Sequence, residues 1–402
     1  MGSSVKFNDA FDSVPYSNSY FRVDDPENVY PPNYGDAWRL DATMGHGATA
    51  LADYLTFRGI GWGPGSNATA LLNALYFPAR TEVPGWEVVS RGKGEVLHRN
   101  PRAVPRAFVA ARFRAFPTDA EILDWLAQPV FAPAETVLLR DSDLARLPAG
   151  LRRDLQDDGA GIRVRVQTRR AAADGKADKL SDREARRRLL LFQPPWGWSP
   201  GDALSLILKP ESDGSECNAI FRYLPGAADG SSLSLRLEAD GMARDIPVEL
   251  PAGAARKAGV CRQIVRLGNL PLREHRLSFV VPEGCSARLD SVRFTREAVA
   301  DEDDPASVLA IVSHKPNRIR LRAEMRKAGF VVLSEVYYPG GEARIDGEPA
   351  PLLKADYILR AIPVPAGDHT IELRFRPAAL SWGLMISALS LAGLAAIWIR
   401  LR

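Results

Sequence analysis

The residues that could carry chemistry in this chain are scattered rather than grouped. Five histidines, His46, His98, His275, His314 and His369, are the natural proton carriers near neutral pH. No two of them share the helical or strand spacing that would aim both at one metal or one substrate. Each is expected at the surface or in a turn. Three cysteines, Cys217, Cys261 and Cys285, lie in one segment without a Cys-x-x-Cys pair. Zinc is not expected, since no histidine lies near them at ligand spacing. One disulfide with a leftover thiol and three unpaired thiols both remain open. The glycine-rich run Gly59-Ile60-Gly61-Trp62-Gly63-Pro64-Gly65 lacks the preceding buried strand and the following Lys-Ser/Thr of a phosphate loop, so it is expected as a flexible loop. No Gly-x-Ser-x-Gly elbow occurs. The acidic run Asp301-Glu302-Asp303-Asp304 is expected as a solvated linker. No catalytic residue, metal site or cofactor site is assigned.

One segment has residue types suited to recognition. Pro194-Pro195-Trp196-Gly197-Trp198-Ser199-Pro200 places two indoles close together at the start of a β-rich region. Exposed indole faces stack on the apolar C–H surfaces of sugar rings. Trp196 and Trp198 are therefore candidate glycan-binding residues. The competing expectation is that one or both rings fill the core of that region.

A second segment has the composition of a membrane anchor. Residues 378–399 carry no charge, and as a helix they span roughly 33 Å at ~1.5 Å per residue, about the thickness of a hydrocarbon core. Trp382 and Trp398 stand near its ends, where aromatic belts lie. Arg374 and Arg376 precede it, and Arg400 and Arg402 follow it. Trp382, Trp398, Arg400 and Arg402 are the expected anchors in the lipid bilayer. A buried terminal helix would instead show a polar face, and this run has only scattered serines. Arginines flank both ends, so the positive-inside rule does not orient it. The amino-terminal residues have no apolar core of a secretory signal. The chain is thus expected to be either the carboxy-terminal piece of a larger membrane protein or a tail-anchored protein facing the cytoplasm.

These segments must be held by ordinary folded units. The 402 residues are 46% hydrophobic and 25% charged, with a net charge of +3. That length suggests about two to four domains, and the small net charge without a basic stripe argues against nucleic acid as a partner. Residues 1–36 form an irregular lead-in. Residues 37–170 mix helix-like spacing at 48–57 and 68–76 with strand-like runs at 86–89, 95–98, 107–113, 136–139 and 162–167. Thr118 followed by Glu121 is the signature of a capped helix start. Residues 171–186 are a charged linker. Within 187–298, short alternating runs at 204–208, 219–223, 232–237, 246–250, 261–267, 274–280 and 287–294 predict a β-sandwich. After an acidic linker at 299–307, residues 308–377 read as a small β-domain. There Asp346-Gly347 marks a hairpin, and 357–364 is expected to pair with 369–375. The fold class is α+β and β-rich: a mixed α+β domain, an inserted β-sandwich, a carboxy-terminal β-domain and one transmembrane helix at 378–399.

The run from Gly329 through Ser334, Glu335, Tyr337, Tyr338, Pro339 and Gly340, then Ile345-Asp346-Gly347, 360–369 and Phe375-Arg376-Pro377, resembles the carboxy-terminal end of the YfhO family. Phe21-Arg22-Val23-Asp24-Asp25, 71–76 and 100–109 resemble its extracytoplasmic segment. The family typically has Trp after Tyr-Tyr-Pro-Gly, where this chain has Gly341. The resemblance implies a many-spanning bacterial membrane protein similar to glycosyltransferases that use polyprenyl-phosphate sugars. The multi-spanning half that would hold acidic catalytic residues is not in this sequence, and no catalytic residue carries over. The expected role is the extracytoplasmic scaffold or recognition region of such an envelope protein. Its expected partners are the bilayer, a multi-spanning glycosyltransferase-like protein, and a glycan or polyprenyl-linked sugar. The bulk would be extracytoplasmic at the cytoplasmic (inner) membrane, with the carboxy terminus cytoplasmic. The alternative is a tail-anchored binding or structural protein with a glycan-binding sandwich and no transferase role.

Overall fold

The structure, a computed structural model, describes residues 20–25, 27–30, 34, 40–43, 51–61, 66–83, 86–92, 94–128, 131–157, 162–170, 202–210, 216–224, 231–239, 242–250, 261–280, 288–295 and 307–400. It is β-rich, with six sheets among the described residues, several short helices and one long terminal helix.

The layer that organises the molecule is a four-stranded sheet in the order Leu353–Ala355, Leu359–Val364, Gly329–Leu333, Ala107–Ala110. Its last strand comes from far upstream, with Val331 opposite Val109 and Leu333 opposite Ala107. Side chains of a strand alternate between faces. Here Phe330 and Val332 enter one core with Phe108, Phe113, Leu126, Val137 and Leu139. Val331 and Leu333 enter a second core with Leu321, Ile362, Ile371 and Leu373. A strand covered on both sides has no place for a polar residue, which explains the unbroken apolar run Phe330-Val331-Val332-Leu333. Burying a side chain the size of Phe330 contributes about 2–3 kcal/mol.

The first core is closed by a small parallel unit. Strand Arg112–Phe116 leads through helix Asp119–Leu126 to strand Thr136–Arg140, and strand Gln156–Asp157 joins the other side. The expected cap is present: Thr118 Oγ1 accepts from the Glu121 N–H, and the Glu121 carboxylate accepts from the Thr118 N–H. Ile122 and Leu126 then face the core. The second core is closed by a five-stranded antiparallel sheet in the order Val308–Lys315, Arg318–Met325, Gly367–Phe375, Gly341–Ile345, Glu348–Ala350. Asp346 and Gly347 make its tight hairpin with φ of 51° and 90°, the left-handed values such a turn requires.

Three local expectations change. Strand Leu359–Val364 does not pair with strand Gly367–Phe375, because the short connection carries the chain from one sheet to the other. Gly367, at φ 127°, allows that corner. The run 107–113 is two strands in different sheets, broken at Ala111. Helical structure at 68–76 stops at Leu71, where Asn73 turns left-handed (φ 57°) into strand Ala74–Ala79.

A β-sandwich forms, but it also takes strand Ile162–Arg170, expected in the mixed α+β unit, because that strand pairs along its whole length with Asp202–Pro210. Strands Met242–Leu250, Ser231–Ala239, His275–Val280, Asp202–Pro210 and Ile162–Arg170 make one sheet, and Cys261–Asn269, Glu216–Leu224 and Arg288–Thr295 the other. Leu206, Leu208, Phe221, Leu235, Leu277 and Phe279 fill the core between them. Glu135 joins the sandwich to the parallel unit through Arg222 (3.5 Å) and Arg293 (3.4 Å).

Candidate functional site

A largely buried set of charged side chains draws on distant parts of the chain. Glu335 lies two residues beyond the end of the apolar strand Gly329–Leu333, after Ser334, so its carboxylate is held at the edge of the central layer. Arg106 Nε donates to Glu335 Oε1 at 2.8 Å, and Arg106 Nη1 lies 2.9 Å from Asp41 Oδ2. Arg22 Nη2 reaches Glu335 Oε2 at 3.4 Å, and its Nη1 donates to the Leu72 carbonyl and to Ser334 Oγ. His314 Nε2 lies 3.2 Å from Glu335 Oε1. Ser334 itself donates to the Leu71 carbonyl at 2.7 Å. The four segments 21–25, 71–76, 100–109 and 329–340 thus meet at one place.

This cluster is suited to holding, not to proton transfer. Burial pushes the Glu335 carboxyl up, but the His314 hydrogen bond and the Arg106 and Arg22 charges outweigh it and bring the pKa down to about 2. Such a group stays ionised at any ordinary pH, whereas a general acid or base works best near the ambient pH. Beside it lies a second pair with no solvent contact: Arg58 Nη2 and Asp24 Oδ1 are 2.9 Å apart, both side chains fully buried. Thr43 and Thr69 hydroxyls donate to the same carboxylate. A buried pair adds little net stability over well-packed apolar residues, whereas removing one partner is strongly destabilising.

A third buried carboxyl joins the central layer to the parallel unit. Asp356 Oδ1 accepts from the Leu138 N–H at 2.8 Å, and the Asp356 N–H donates to the Leu138 carbonyl at 2.9 Å. Burial raises its pKa to about 7 against the opposing pull of that hydrogen bond. The sequence motifs contain Arg22, Asp24, Arg106 and Glu335 without assigning any of them a role, and Arg58 and Asp356 stand outside those motifs. The available signal was a charge close to an apolar run, as with Arg58 after Tyr54 and Phe57, or Glu335 two places beyond Phe330-Val331-Val332-Leu333.

The terminal helix Ala378–Arg400 follows strand Gly367–Phe375 after two intervening residues, Arg376 and Pro377. The segment Trp382–Arg400 has mean hydropathy 1.9, and none of it is buried against the rest of the protein. It is long and apolar enough to cross a membrane. Trp382 and Trp398 are exposed and lie about 24 Å apart along the axis at ~1.5 Å per residue. Ser390 Oγ donates to the Ile386 carbonyl at 2.9 Å, which satisfies its hydroxyl without water. Arg400 closes the last turn. The helix entry is fixed to the folded part: the Arg376 N–H donates to the Gly340 carbonyl at 2.8 Å, and the Phe375 N–H to the Asn317 carbonyl at 3.1 Å.

Arg402, Trp196, Trp198, Cys285 and His46 lie outside the described residues. Cys217 is buried in the sandwich. It is opposite Gly268, whereas Cys261 is opposite Tyr223 on the same strand pair. The two cysteines are therefore about 20 Å apart at ~3.3 Å per residue, too far for a disulfide. Two histidines are buried rather than superficial: His98 accepts from the Val83 N–H, and His275 bonds the Pro271 carbonyl. Among the described residues no cluster of His, Cys, Asp and Glu forms a metal site.

No protein-family model matches this chain, and no curated protein sequence is similar to it. Solved structures similar to parts of it include arabinofuranosyltransferase AftD from Mycobacteria, at 16% identity and a TM-score of 0.24 over 42% of this chain and 14% of AftD. A second AftD structure is covered to 28% of its length. Cycloisomaltooligosaccharide glucanotransferase from Paenibacillus sp. shares 9% identity (TM-score 0.20) over 63% of this chain and 49% of its own. Discoidin II from Dictyostelium discoideum shares 10% (TM-score 0.18) over 54% and 94%. At these scores the likenesses carry neither fold nor function.

Proposed function

We propose that this chain is the extracytoplasmic region and last membrane helix of a YfhO-like envelope protein. Its β-rich body is a scaffold that positions or recognises a glycan or lipid-linked sugar for a membrane-embedded glycosyltransferase. The observation that carries this reading is the rigid join between the folded body and an apolar, unburied terminal helix. Gly340, at φ 98°, lets the 338–341 loop touch the helix entry so closely that a Cβ there would lie 2.8 Å from Pro377 Cα. A scaffold fixed in this way holds its distance from the bilayer, which a flexible tether would not. The meeting of the four motif segments at Glu335 supports treating them as one functional body.

Within this proposal Trp196 and Trp198 stack on the sugar, the bulk lies outside the cytoplasmic membrane, and the carboxy terminus lies inside. Three measurements test it. Carbonate-washed membranes should retain the full chain, and protease added to right-side-out vesicles should digest the body. Polyprenyl-phosphate sugar should bind the detergent-solubilised chain and be lost in the Trp196→Ala, Trp198→Ala double variant. A body protected inside the vesicles would point to the tail-anchored alternative. Binding unaffected by the double variant would remove the tryptophan platform.

A further inference from the structure

The end of the five-stranded sheet that faces the helix entry is rich in basic residues. Lys315 and Arg318 flank the turn between two strands, and Arg374 and Arg376 flank Phe375 at the end of the strand beside them. Arg318 pairs with Arg374 across the sheet, and Glu342 lies opposite Arg374 on the other side. Glu372 binds both Arg374 (2.8 Å between Nε and Oε1) and Arg318. Four cations therefore stand against two carboxylates, leaving a surplus of positive charge. Lys315 and Arg376 are exposed and make no ion pair among the described residues. Tyr338 is 47% exposed and packs edge-on against Phe375, with ring centroids 6.1 Å apart.

The distance of this rim from the helix is set by the chain. Phe375 and Ala378 are separated by Arg376 and Pro377 only, so they are at most about 11 Å apart even if fully extended. The polar headgroup layer on each side of a bilayer is roughly 5–8 Å deep. The hydrogen bonds from Arg376 to Gly340 and from Phe375 to Asn317 keep the 315–318 turn and the 338–341 loop beside the entry. A tyrosine with an apolar body and a polar tip suits that depth.

We infer that the rim formed by Lys315, Arg318, Arg374, Arg376 and Tyr338 docks on the anionic phospholipid headgroups of the bilayer that receives the terminal helix. Phosphate oxygens accept from the exposed Lys315 and Arg376 donors, and the tyrosine ring enters the interface. The contact sets the tilt of the β-body on the membrane. This inference rests on the membrane placement of the helix proposed above.

The test uses the full chain reconstituted into vesicles of phosphatidylcholine alone or of phosphatidylcholine with phosphatidylglycerol. Backbone hydrogen exchange reads segments 315–318 and 338–341, and carbonate extraction reads insertion. The expected result is slower exchange in both segments only with phosphatidylglycerol. Lys315→Gln and Arg376→Gln should each reduce that gain about fivefold, the weight of one basic residue at an anionic surface. Exchange in strand Gly329–Leu333 should not change. Equal exchange in the two kinds of vesicle, with the chain still inserted, overturns the rim and leaves the anchor standing. Unaltered protection in both variants does the same. Release of the chain by carbonate from both vesicles overturns the anchor, and the rim with it. Protection produced by inorganic phosphate in phosphatidylcholine vesicles would mean a free phosphoryl ligand, and would overturn docking on the lipid surface.

Discussion

Replacing Asp356 with asparagine removes a buried charge while keeping the oxygen that accepts from Leu138. The carboxyl has a pKa of about 7 in the folded chain against an ordinary value of 3.8. The difference of roughly three units, at about 1.4 kcal/mol each, is worth about 4 kcal/mol. Between those two values the folded state keeps the proton and the unfolded state has lost it. The unfolded state then binds fewer protons, so wild-type stability falls as pH rises from about 4 to 7 and levels off above. Asparagine cannot ionise and tolerates the left-handed backbone at this position, where φ is 45°. Asp356→Asn should therefore match the wild type near pH 4 and exceed it by up to about 4 kcal/mol near pH 8. Urea unfolding in detergent, followed by tryptophan fluorescence, gives the global comparison. Exchange of the Leu138 amide gives a local one, which suits a chain built of several units. A stability difference that stays constant across that range would refute the reasoning, because it would mean that the carboxyl does not titrate there.

Glu335 has the opposite sign. Its pKa lies at about 2, below the ordinary 4.5, so the cluster contributes about 3 kcal/mol above pH ~4.5 that disappears as pH falls through 2. Glu335→Gln should flatten that acid limb, read as unfolding midpoint against pH. Asp24→Ala leaves Arg58 buried without its partner and should cost about 3–5 kcal/mol in thermal or urea unfolding. The Asp24→Asn, Arg58→Met double variant should cost less than the sum of its single changes. Gly340→Val forces a branched residue to φ 98° against Pro377, and should cost about 1–3 kcal/mol and open the 376–378 junction to protease. Leu389→Arg puts a charge at mid-helix at about 2.5–3.5 kcal/mol, and carbonate extraction should then release more of the chain.

Local chemistry made much of this architecture legible. The Thr118–Glu121 cap, the Asp346-Gly347 turn, the alternating strands of the sandwich and the uncharged terminal run are all short-range signals. Each depends on a few neighbouring residues, and each appears in the structure as the spacing predicts. The tryptophan pair was equally visible as a motif, but its partner surface is not a property of the motif.

What the sequence alone determined, then, is the inventory of elements and the presence of an apolar helix of membrane length. Periodicity and turn residues act over distances of a few positions, and they specify which face of an element is apolar. They do not specify what covers that face. Tertiary structure decided that Ala107–Ala110 completes a sheet with Gly329–Leu333 and that consecutive strands Leu359–Val364 and Gly367–Phe375 part into different sheets. It also decided that Arg22, Arg106 and His314 converge on Glu335. The physical reason is that a strand apolar on both faces must find two covers, and a charge at its end must find partners once water is excluded. Those partners are chosen by packing across the whole chain.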